Sequence, residues 1–231
     1  MTLLSVIVPT LNEAAGIVDS LQALQPLRRS GVEVIVADGG SDDDTRALAA
    51  PWVDAVVAAP PGRAVQMNVA AARARGDILL FPHADTELPP AADQLVERVL
   101  GQKDAVWGRF DVAIAASSRL LFVVAWMMNL RSRVTGIATG DQTIFVRREA
   151  FAVIGGYPEI PLMEDIELSR RLKLLRRPCC LKERVITSGR RWETRGTMRT
   201  IVLMWRLRLA YVMGADPARL AAEYGDASRQ S

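Results

Sequence analysis

Apolar runs alternate with helix-like segments over the first hundred residues, and this alternation limits the folds that the chain can adopt. The first run, from Leu3 to Pro9, is rich in β-branched residues and almost continuous, which is typical of a strand buried on both faces. Further runs cover Val32 to Ala37, Val53 to Ala59 and Ile78 to Phe81, and a helical segment separates each run from the next. The pattern predicts an α/β fold with a mostly parallel central sheet and helices on both faces.

The second half of the chain departs from this alternation. Ser117 to Leu130 has a helical pattern that is apolar on all sides, which predicts a helix that is buried or meets a partner or lipid. Arg131 to Gly140 shows no strong periodicity and is interpreted as a loop. Thr197 to Met213 predicts a final helix, and the polar residues after Ala222 predict a frayed tail. We expect a single domain over residues 1–231.

Composition excludes some classes of protein. The 231 residues are half hydrophobic and carry a formal net charge of +3, and the basic residues form no long tract of the kind that binds nucleic acid. The two cysteines, Cys179 and Cys180, are adjacent and cannot build a disulfide framework, which favours a reducing compartment. No charged segment precedes an apolar run at the N-terminus, and the longest apolar runs are too short or too interrupted by arginine to span a bilayer. We expect a cytoplasmic protein, with peripheral membrane contact as the open alternative.

Polar residues follow the fourth apolar run, where His83 and Asp85 stand two positions apart. If the backbone stays extended, their side chains project to the same side. In parallel α/β sheets, ligands bind at the carboxyl ends of the strands, so a metal–diphosphate site at this edge is our hypothesis. The alternatives are that His83 is a structural hydrogen-bonding residue, and that Asp85 or Thr86 caps a helix that starts near Pro89.

The second apolar run is followed by Asp38 and Gly39, and a third loop carries Arg63 after a Pro-Gly pair. The carboxylate of Asp38 is suited to accept N–H or O–H bonds from a nucleotide base or ribose. Arg63 is suited to charge-assisted bonds with a diphosphate. The alternative for Asp38 and Gly39 is an ordinary turn, in which this dipeptide is common.

Two further clusters occur late in the chain. Glu164 and Asp165 stand just before an apolar-periodic helix, where a carboxylate either acts as a general base or simply favours the helix dipole. Arg191 and Trp192 combine a cation with an aromatic ring, which suits phosphate binding and stacking on a sugar face. The alternative for this second cluster is a surface salt-bridge patch around an anchoring tryptophan.

Taken in order, these pieces resemble the family-2 glycosyltransferases of the GT-A fold. The matching segments are Ser5–Glu13, Asp38–Asp43, His83–Asp85 and Met163–Asp165. The resemblance spans nearly the whole chain. Three further segments look like a small stand-alone bacterial subgroup that is labelled by association with arsenosugar biosynthesis; they are Gly62–Asn68, Gly140–Gln142 and Arg190–Glu193.

The resemblance implies a nucleotide-diphosphate sugar donor, a divalent metal (Mg²⁺ or Mn²⁺) and inversion at the anomeric carbon. It implies a Rossmann-like donor half at residues 1–100 and an acceptor half at residues 101–231. The donor would be held by Pro9, Thr10, Leu11, Glu13, Asp38, Gly39 and Arg63. Asp85 would be the metal-binding acid, with His83 standing where the first acid of the Asp-x-Asp element often occurs. Asp165, beside Glu164, would be the catalytic base.

Of the Gln-x-x-Arg-Trp element of processive members, only Arg191-Trp192 is present, which implies transfer of one sugar to a small-molecule or lipid-linked acceptor. A homodimer and a membrane contact are further partner predictions. A nucleotidyltransferase is the first alternative, but it would need a glycine-rich basic loop in place of Thr10 to Glu13. A non-catalytic nucleotide-sugar-binding protein is the second alternative, and His83 is the main argument for it.

Overall fold

The protein is described by a computed structural model, which covers residues 3–115, 118–189 and 197–229. The strands are β1 (Leu4–Thr10), β2 (Glu33–Asp38), β3 (Ala55–Ala58), β4 (Ile78–Phe81), β5 (Thr86–Glu87), β6 (Trp107–Ala115), β7 (Ile144–Arg147) and β8 (Cys179–Ser188). The α-helices are α1 (Ile17–Ala23), α2 (Gln25–Arg29), α3 (Thr45–Ala49), α4 (Arg63–Arg73), α5 (Ala92–Leu100), α6 (Arg119–Thr135), α7 (Arg148–Val153), α8 (Glu164–Leu175), α9 (Thr197–Val212) and α10 (Pro217–Arg229). Short 3₁₀ turns occur at Ala50–Trp52 and Gly140–Gln142.

The strands form one mixed sheet in the order β3-β2-β1-β4-β7-β6-β8-β5. The strands β1 to β4 are parallel, because along the chain each is joined to the next by a crossover that contains a helix. β7 is antiparallel to both of its neighbours, β6 and β8 are parallel, and β5 closes the far edge as an antiparallel strand. The prediction of a mostly parallel α/β sheet is confirmed.

Side chains of β1 alternate between two apolar layers, as the two-residue period of a strand requires. Val6 and Val8 pack on the face covered by α1, α2, α5 and α6, whereas Ile7 packs on the face covered by α4, α7 and α8. Burial of each such side chain stabilises the fold by roughly 1.5–3 kcal/mol. The expected helices on both faces are therefore confirmed, and the near-continuous apolar strands are explained by two-sided burial.

Two expectations about the second half are wrong. α6 continues past the expected boundary to Thr135, and it ends at Gly136, which adopts a left-handed φ of 71°. The extra turn is held by tertiary bonds, since the side chain of Ser132 accepts a 2.9 Å hydrogen bond from Nε2 of Gln142. Residues 223–229 of the expected frayed tail lie within α10, which is anchored by the buried side chain of Leu220, so tertiary packing rather than sequence periodicity decides both cases.

The expected burial of α6 is only partly found. Its inner face buries Leu121, whereas Phe122 and Trp126 on the outer face remain 66% and 57% exposed. α9 has a similar outer stripe, in which Trp205 and Leu209 are 57% and 60% exposed. Within the residues that the structure describes, no helix combines the length and the apolar character needed to cross a membrane.

Candidate active site

The carboxyl ends of β1 and β2 are joined by the buried side chain of Gln66 from α4. Its Nε2 donates hydrogen bonds to the carbonyl oxygens of Thr10 at 2.7 Å and Ala37 at 2.8 Å. A Cβ atom on Gly39 would lie 2.9 Å from the amide of Gln66, so this close approach favours glycine at position 39. The cross-link fixes the relative position of two loops that the sequence assigned to donor binding.

The carboxylate of Asp38 is buried and faces its own turn. It accepts hydrogen bonds from the backbone N–H groups of Gly40 and Ser41, both at 3.0 Å, and from the Ser41 hydroxyl at 2.5 Å. This geometry matches the structural alternative considered for Asp38. A contact between Asp38 and a base or ribose stays a prediction. The turn that Asp38 stabilises forms part of the edge of the candidate site.

The loop after β1 is pinned to that turn. Asn12 has a left-handed φ of 54°, which asparagine tolerates, and its backbone N–H donates to the Ser41 hydroxyl at 2.9 Å. The backbone N–H of Glu13 donates to Oγ1 of Thr45 at 2.8 Å. Leu11, which directly precedes these anchors, is 47% exposed, so the loop presents an apolar side chain at the carboxyl edge of the sheet.

His83, at the end of β4, lies between a cation and a carboxylate. Its Nε2 contacts Nη2 of Arg63, and its Nδ1 lies 3.4 Å from Oδ1 of Asp141. A guanidinium group only donates, so Nε2 acts as the acceptor and we assign the ring proton to Nδ1, facing Asp141. Nε of Arg63 also lies 3.7 Å from Oε1 of Glu164, so Arg63 links the β4 loop to the start of α8.

Gly140 occupies the centre of this cluster. A Cβ atom at this position would lie 2.4 Å from Nε2 of His83 and 2.8 Å from Nη2 of Arg63, so no larger residue fits without movement. The backbone N–H of Gly140 donates to Oδ2 of Asp165 at 2.8 Å. The turn at Gly140–Gln142 therefore contacts the predicted metal-side residue and the predicted base at once.

Asp165 and Glu164 form the first turn of α8, which follows Met163 in a left-handed conformation with φ of 70°. Oδ1 of Asp165 accepts a 2.7 Å bond from the backbone N–H of Ile166, and Oδ2 is held by Gly140. Each carboxylate oxygen has two lone pairs, so both retain capacity to accept an additional O–H donor. Glu164 is buried, with only 6% of its surface exposed.

Several charged side chains meet where Arg63 contacts the start of α8. Burial raises the pKa of Glu164, and the negative charge of Asp165 adds to this effect, while the Arg63 guanidinium acts in the opposite direction. Burial alone would lower the pKa of Arg63, but the carboxylates of Glu164, Asp165 and Asp141 outweigh it and raise that pKa. Arg63 is thus a cation that three nearby carboxylates stabilise in its charged form, and it forms an ion pair with one of them, Glu164.

The cap alternative for the β4 loop is wrong. α5 begins after Ala91, which has a left-handed backbone and makes no side-chain cap, and Thr86 lies in β5 opposite Thr187. Asp85 is exposed in the turn before β5. The helix therefore does not account for this carboxylate, and its metal role stays a prediction.

The donor set fits a divalent ion only in part. Among the described residues, no group of three or more His, Cys, Asp or Glu side chains is close enough to hold a metal. Both ring nitrogens of His83 face other protein groups, which makes His83 a poor ligand. Mg²⁺ and similar ions commonly use one or two carboxylates together with substrate phosphates. The described residues therefore fit only a metal that takes most of its ligands from a diphosphate, and Asp85 as its protein ligand stays a prediction.

The structure brings His83, Arg63, Glu164 and Asp165 together, whereas their roles stay predictions. Arg191 and Trp192 lie outside the described residues. Sequence reasoning missed four side chains at or beside the site: Gln66, Arg131, Asp141 and Arg208. For Asp141 the available signal was its place in the Gly140–Gln142 segment, which was noted for its resemblance only.

Comparison with known protein families gives one match. The family described as glycosyl transferase family 2 matches residues 5–153. The matched region includes β1 to β4, the His83 loop and the Gly140–Gln142 turn, but not Asp165. The comparison with curated protein sequences gave no match.

Several solved structures share the fold. One is the mannosyltransferase PcManGT from Pyrobaculum calidifontis, in complex with GDP-Man and Mn²⁺, which is 24% identical in sequence and superposes with a TM-score of 0.61. The match covers 90% of this chain and 60% of the PcManGT chain. TarS residues 1–349 from S. aureus, in complex with UDP-GlcNAc, is 21% identical with a TM-score of 0.67, covering 81% and 58%. Glucosyl-3-phosphoglycerate synthase from Mycobacterium tuberculosis, in complex with Mn²⁺, UDP and glucosyl-3-phosphoglycerate, is 23% identical with a TM-score of 0.56, covering 79% and 70%. The chain thus spans about 60% of the length of the first two proteins.

Proposed function

Since the chain belongs to glycosyltransferase family 2, we propose that it transfers one sugar from a nucleotide-diphosphate sugar to an acceptor hydroxyl. The observation that carries the proposal is the position of Asp165 at the start of α8. Its carboxylate is bonded to Gly140, whose backbone packs against His83 and Arg63 at the carboxyl end of β4. A candidate base thus adjoins the sheet edge at which a nucleotide diphosphate is expected.

We propose that residues 1–100 form the donor half and that the base and ribose contact the loops after β1 and β2. The pinned geometry of these loops, with Leu11 exposed and Gln66 joining the two strands, supports a preformed platform. PcManGT and TarS, which have the same fold, are described with GDP-Man and UDP-GlcNAc respectively. Residues 101–231 would form the acceptor half.

The proposed chemistry is a single displacement with inversion. Asp165 takes the proton of the acceptor hydroxyl as the hydroxyl oxygen attacks the anomeric carbon of the donor sugar. The bond from that carbon to the diphosphate oxygen breaks, and the electron pair leaves with the nucleotide diphosphate. The bonds from Gly140 and Ile166 hold the Asp165 carboxylate in one orientation, which lowers the cost of reaching the reactive geometry.

The remaining residues bind and orient. Glu164 pairs with Arg63 and keeps that guanidinium at the sheet edge, where it is also placed to approach a diphosphate. A divalent ion bound at Asp85 would supply charge neutralisation for the leaving group. The Mn²⁺ in the PcManGT and glucosyl-3-phosphoglycerate synthase complexes supports this assignment. Arg191 and Trp192 stay predicted ligands of the diphosphate or acceptor, on the sequence alone.

The second candidate function is nucleotide-sugar binding without catalysis. The engagement of His83 by Arg63 and Asp141 favours it, because it removes one expected metal ligand. Nucleotidyl transfer finds no support in the family. The resemblance to the arsenosugar-associated subgroup and a cytoplasmic location stay predictions.

A two-step experiment tests the proposal. A thermal-shift screen of nucleotide diphosphates and nucleotide sugars, each with Mg²⁺ or Mn²⁺, identifies the donor, since a ligand that binds only the native state raises the melting temperature. The selected donor, labelled in the sugar, is then incubated with and without Mn²⁺, and hydrolysis or transfer is measured. Binding without any turnover would favour the non-catalytic alternative, and binding of no nucleotide would refute both.

The exposed stripes on α6 and α9 bear on the predicted partners. A membrane surface and a second copy of the chain are both compatible with exposed Phe122, Trp126 and Trp205. Co-sedimentation with anionic vesicles and light scattering of the purified protein distinguish the two, because only the first depends on lipid and only the second on protein concentration.

A further inference from the structure

Within the residues that the structure describes, two arginines near Asp165 have no partner for part of their guanidinium groups. Arg131 lies near the end of α6 and Arg208 lies in α9. Nε and Nη2 of Arg131 and Nε of Arg208 are buried, and none has a hydrogen-bond partner in the part of the chain that the structure describes. Buried donors without acceptors are rare in native proteins, and each destabilises the fold.

The arginines two positions away from them in sequence, Arg133 and Arg206, do not share this property. Arg133, two positions after Arg131, donates to Oδ2 of Asp111 at 2.7 Å. Arg206, two positions before Arg208, forms an ion pair with Glu223. Within the described part of the chain, Arg131 and Arg208 form no such ion pair, and in this respect they differ from Arg133 and Arg206.

The positive charges of the two arginines also act on one another. Burial lowers the pKa of Arg131 to about 10, and the positive charge of Arg208 adds to this effect. Burial likewise lowers the pKa of Arg208, while the charges of Asp165 and Asp141 act against this shift in both arginines. Two like charges held together in a partly buried place are stabilised when an anion joins them.

The packing places the pair near the start of α8 and the turn at Gly140–Gln142. Leu207, next to Arg208, packs in one cluster with Met163 and Ile166, which flank Glu164–Asp165 in sequence. One turn of α6 beside Arg131 is bonded through Ser132 to Gln142, the neighbour of Asp141. Both arginines are therefore supplied by the acceptor half, next to the base, whereas the donor loops follow β1 and β2.

We propose that Arg131 and Arg208 form a subsite for an anionic group, a phosphate or a carboxylate, that is carried by the acceptor. The assignment to the acceptor rests on the proposed glycosyl transfer, whereas the anion site itself rests on the two arginines. Guanidinium groups offer several donors in a planar fork that matches the oxygens of phosphate and carboxylate. An acceptor anchored in this way would present a neighbouring hydroxyl to Asp165.

The test uses inorganic phosphate as the probe on the full chain. Binding is measured by calorimetry and by the rise in melting temperature for the wild type, Arg131→Gln, Arg208→Gln and the control Arg206→Gln. We expect phosphate affinity to fall about tenfold or more in the first two variants and to stay unchanged in the control, because hydrogen bonds to charged groups are worth this much. Wild-type affinity in both site variants would overturn the subsite.

Stability without ligand provides an independent readout. If the arginines serve only the fold, Arg131→Gln and Arg208→Gln lower the melting temperature more than Arg206→Gln does, and the proposal is refuted. If the arginines bind a ligand, the melting temperature of each variant without ligand should equal or exceed that of the wild type, because the substitution removes a buried charge.

The donor titration separates the two sources of anion. Unchanged affinity for the nucleotide diphosphate in both site variants supports the acceptor assignment, whereas a loss parallel to that of phosphate assigns the pair to the donor and overturns it. If no nucleotide binds the wild type but phosphate binding still requires both arginines, the proposed function fails and the anion site stands.

Discussion

Alanine at position 140 would place a methyl carbon 2.4 Å from Nε2 of His83 and 2.8 Å from Nη2 of Arg63. Ordinary contacts of this kind begin at 3.4 Å, so the turn and the imidazole must separate by about 1 Å. Neither His83 nor Gly140 can move freely to relieve this contact. The ring of His83 lies between Arg63 and Asp141, and the backbone of Gly140 is bonded to Asp165 at 2.8 Å.

The displacement therefore reaches the proposed base. A misplacement of about 1 Å in a catalytic constellation costs roughly 10²-fold in rate, which corresponds to about 2.7 kcal/mol of transition-state stabilisation. We expect kcat/KM of Gly140→Ala to fall by about this factor with the donor selected by thermal shift. Nucleotide affinity should change less than the rate, because Arg63 is the one proposed donor contact that adjoins this turn, whereas the loops after β1 and β2 are held by separate bonds.

Gly225→Ala is the matched control. A Cβ atom on Gly225 meets no atom within 4 Å, and the residue lies within α10, where alanine is favoured over glycine by about 1 kcal/mol. Its activity should equal that of the wild type, and its melting temperature should not fall. If Gly140→Ala also kept the wild-type kcat/KM, the close approach of the turn to His83 would have no role in transfer, and the reasoning would be refuted.

Three further outcomes are expected. Asp165→Asn should keep nucleotide binding, measured by thermal shift, and lose transfer by roughly 10²–10⁴-fold; wild-type turnover would remove Asp165 as the base. Burial alone would raise the pKa of Glu33, but bonds from Arg75 and Ser5 outweigh burial and hold that pKa below its usual value. The ionised form thus stabilises the fold above the unfolded pKa of about 4.3, so the stability advantage of the wild type over Glu33→Gln should be present at pH 7 and disappear as the pH falls through the lowered pKa. A constant difference in urea midpoints from pH 7 to pH 3 would contradict this. Chelation of divalent ions should reduce transfer, whereas Mn²⁺ alone should bind the protein weakly in calorimetry and more tightly with the nucleotide diphosphate; equal affinities would contradict a metal that arrives with the diphosphate.

The parallel half of the sheet follows from the sequence because each strand is a short apolar run with a helix after it. β1, β2 and β4 lie within a residue of the runs that predict them. In these elements local pattern and tertiary burial agree, since two-sided burial selects the same β-branched residues that favour strands.

The errors arise where tertiary contacts outweigh local pattern. Nothing in the periodicity of Arg131 to Thr135 indicates helix, yet the bond between Ser132 and Gln142 fixes that turn. The contact of Gly140 with His83 joins residues almost sixty positions apart, and no spacing rule predicts it. The individual loops of the site could thus be read from the sequence, whereas the pairing of Arg63 with Glu164 required the fold.

The edge strand β5 sets an order for the folding of the chain. Thr86 pairs with Thr187, about one hundred positions later, whereas β1 and β2 pair across about thirty. Contacts between distant segments form slowly, since the loop between them must close first. During synthesis, β1 to β4 can assemble before β8 leaves the ribosome, and α8 cannot dock on a finished sheet until then. We expect nascent chains that end before β8 to expose an unpaired edge of β6 and to depend on chaperones, even though the whole region matched by the family has already been made.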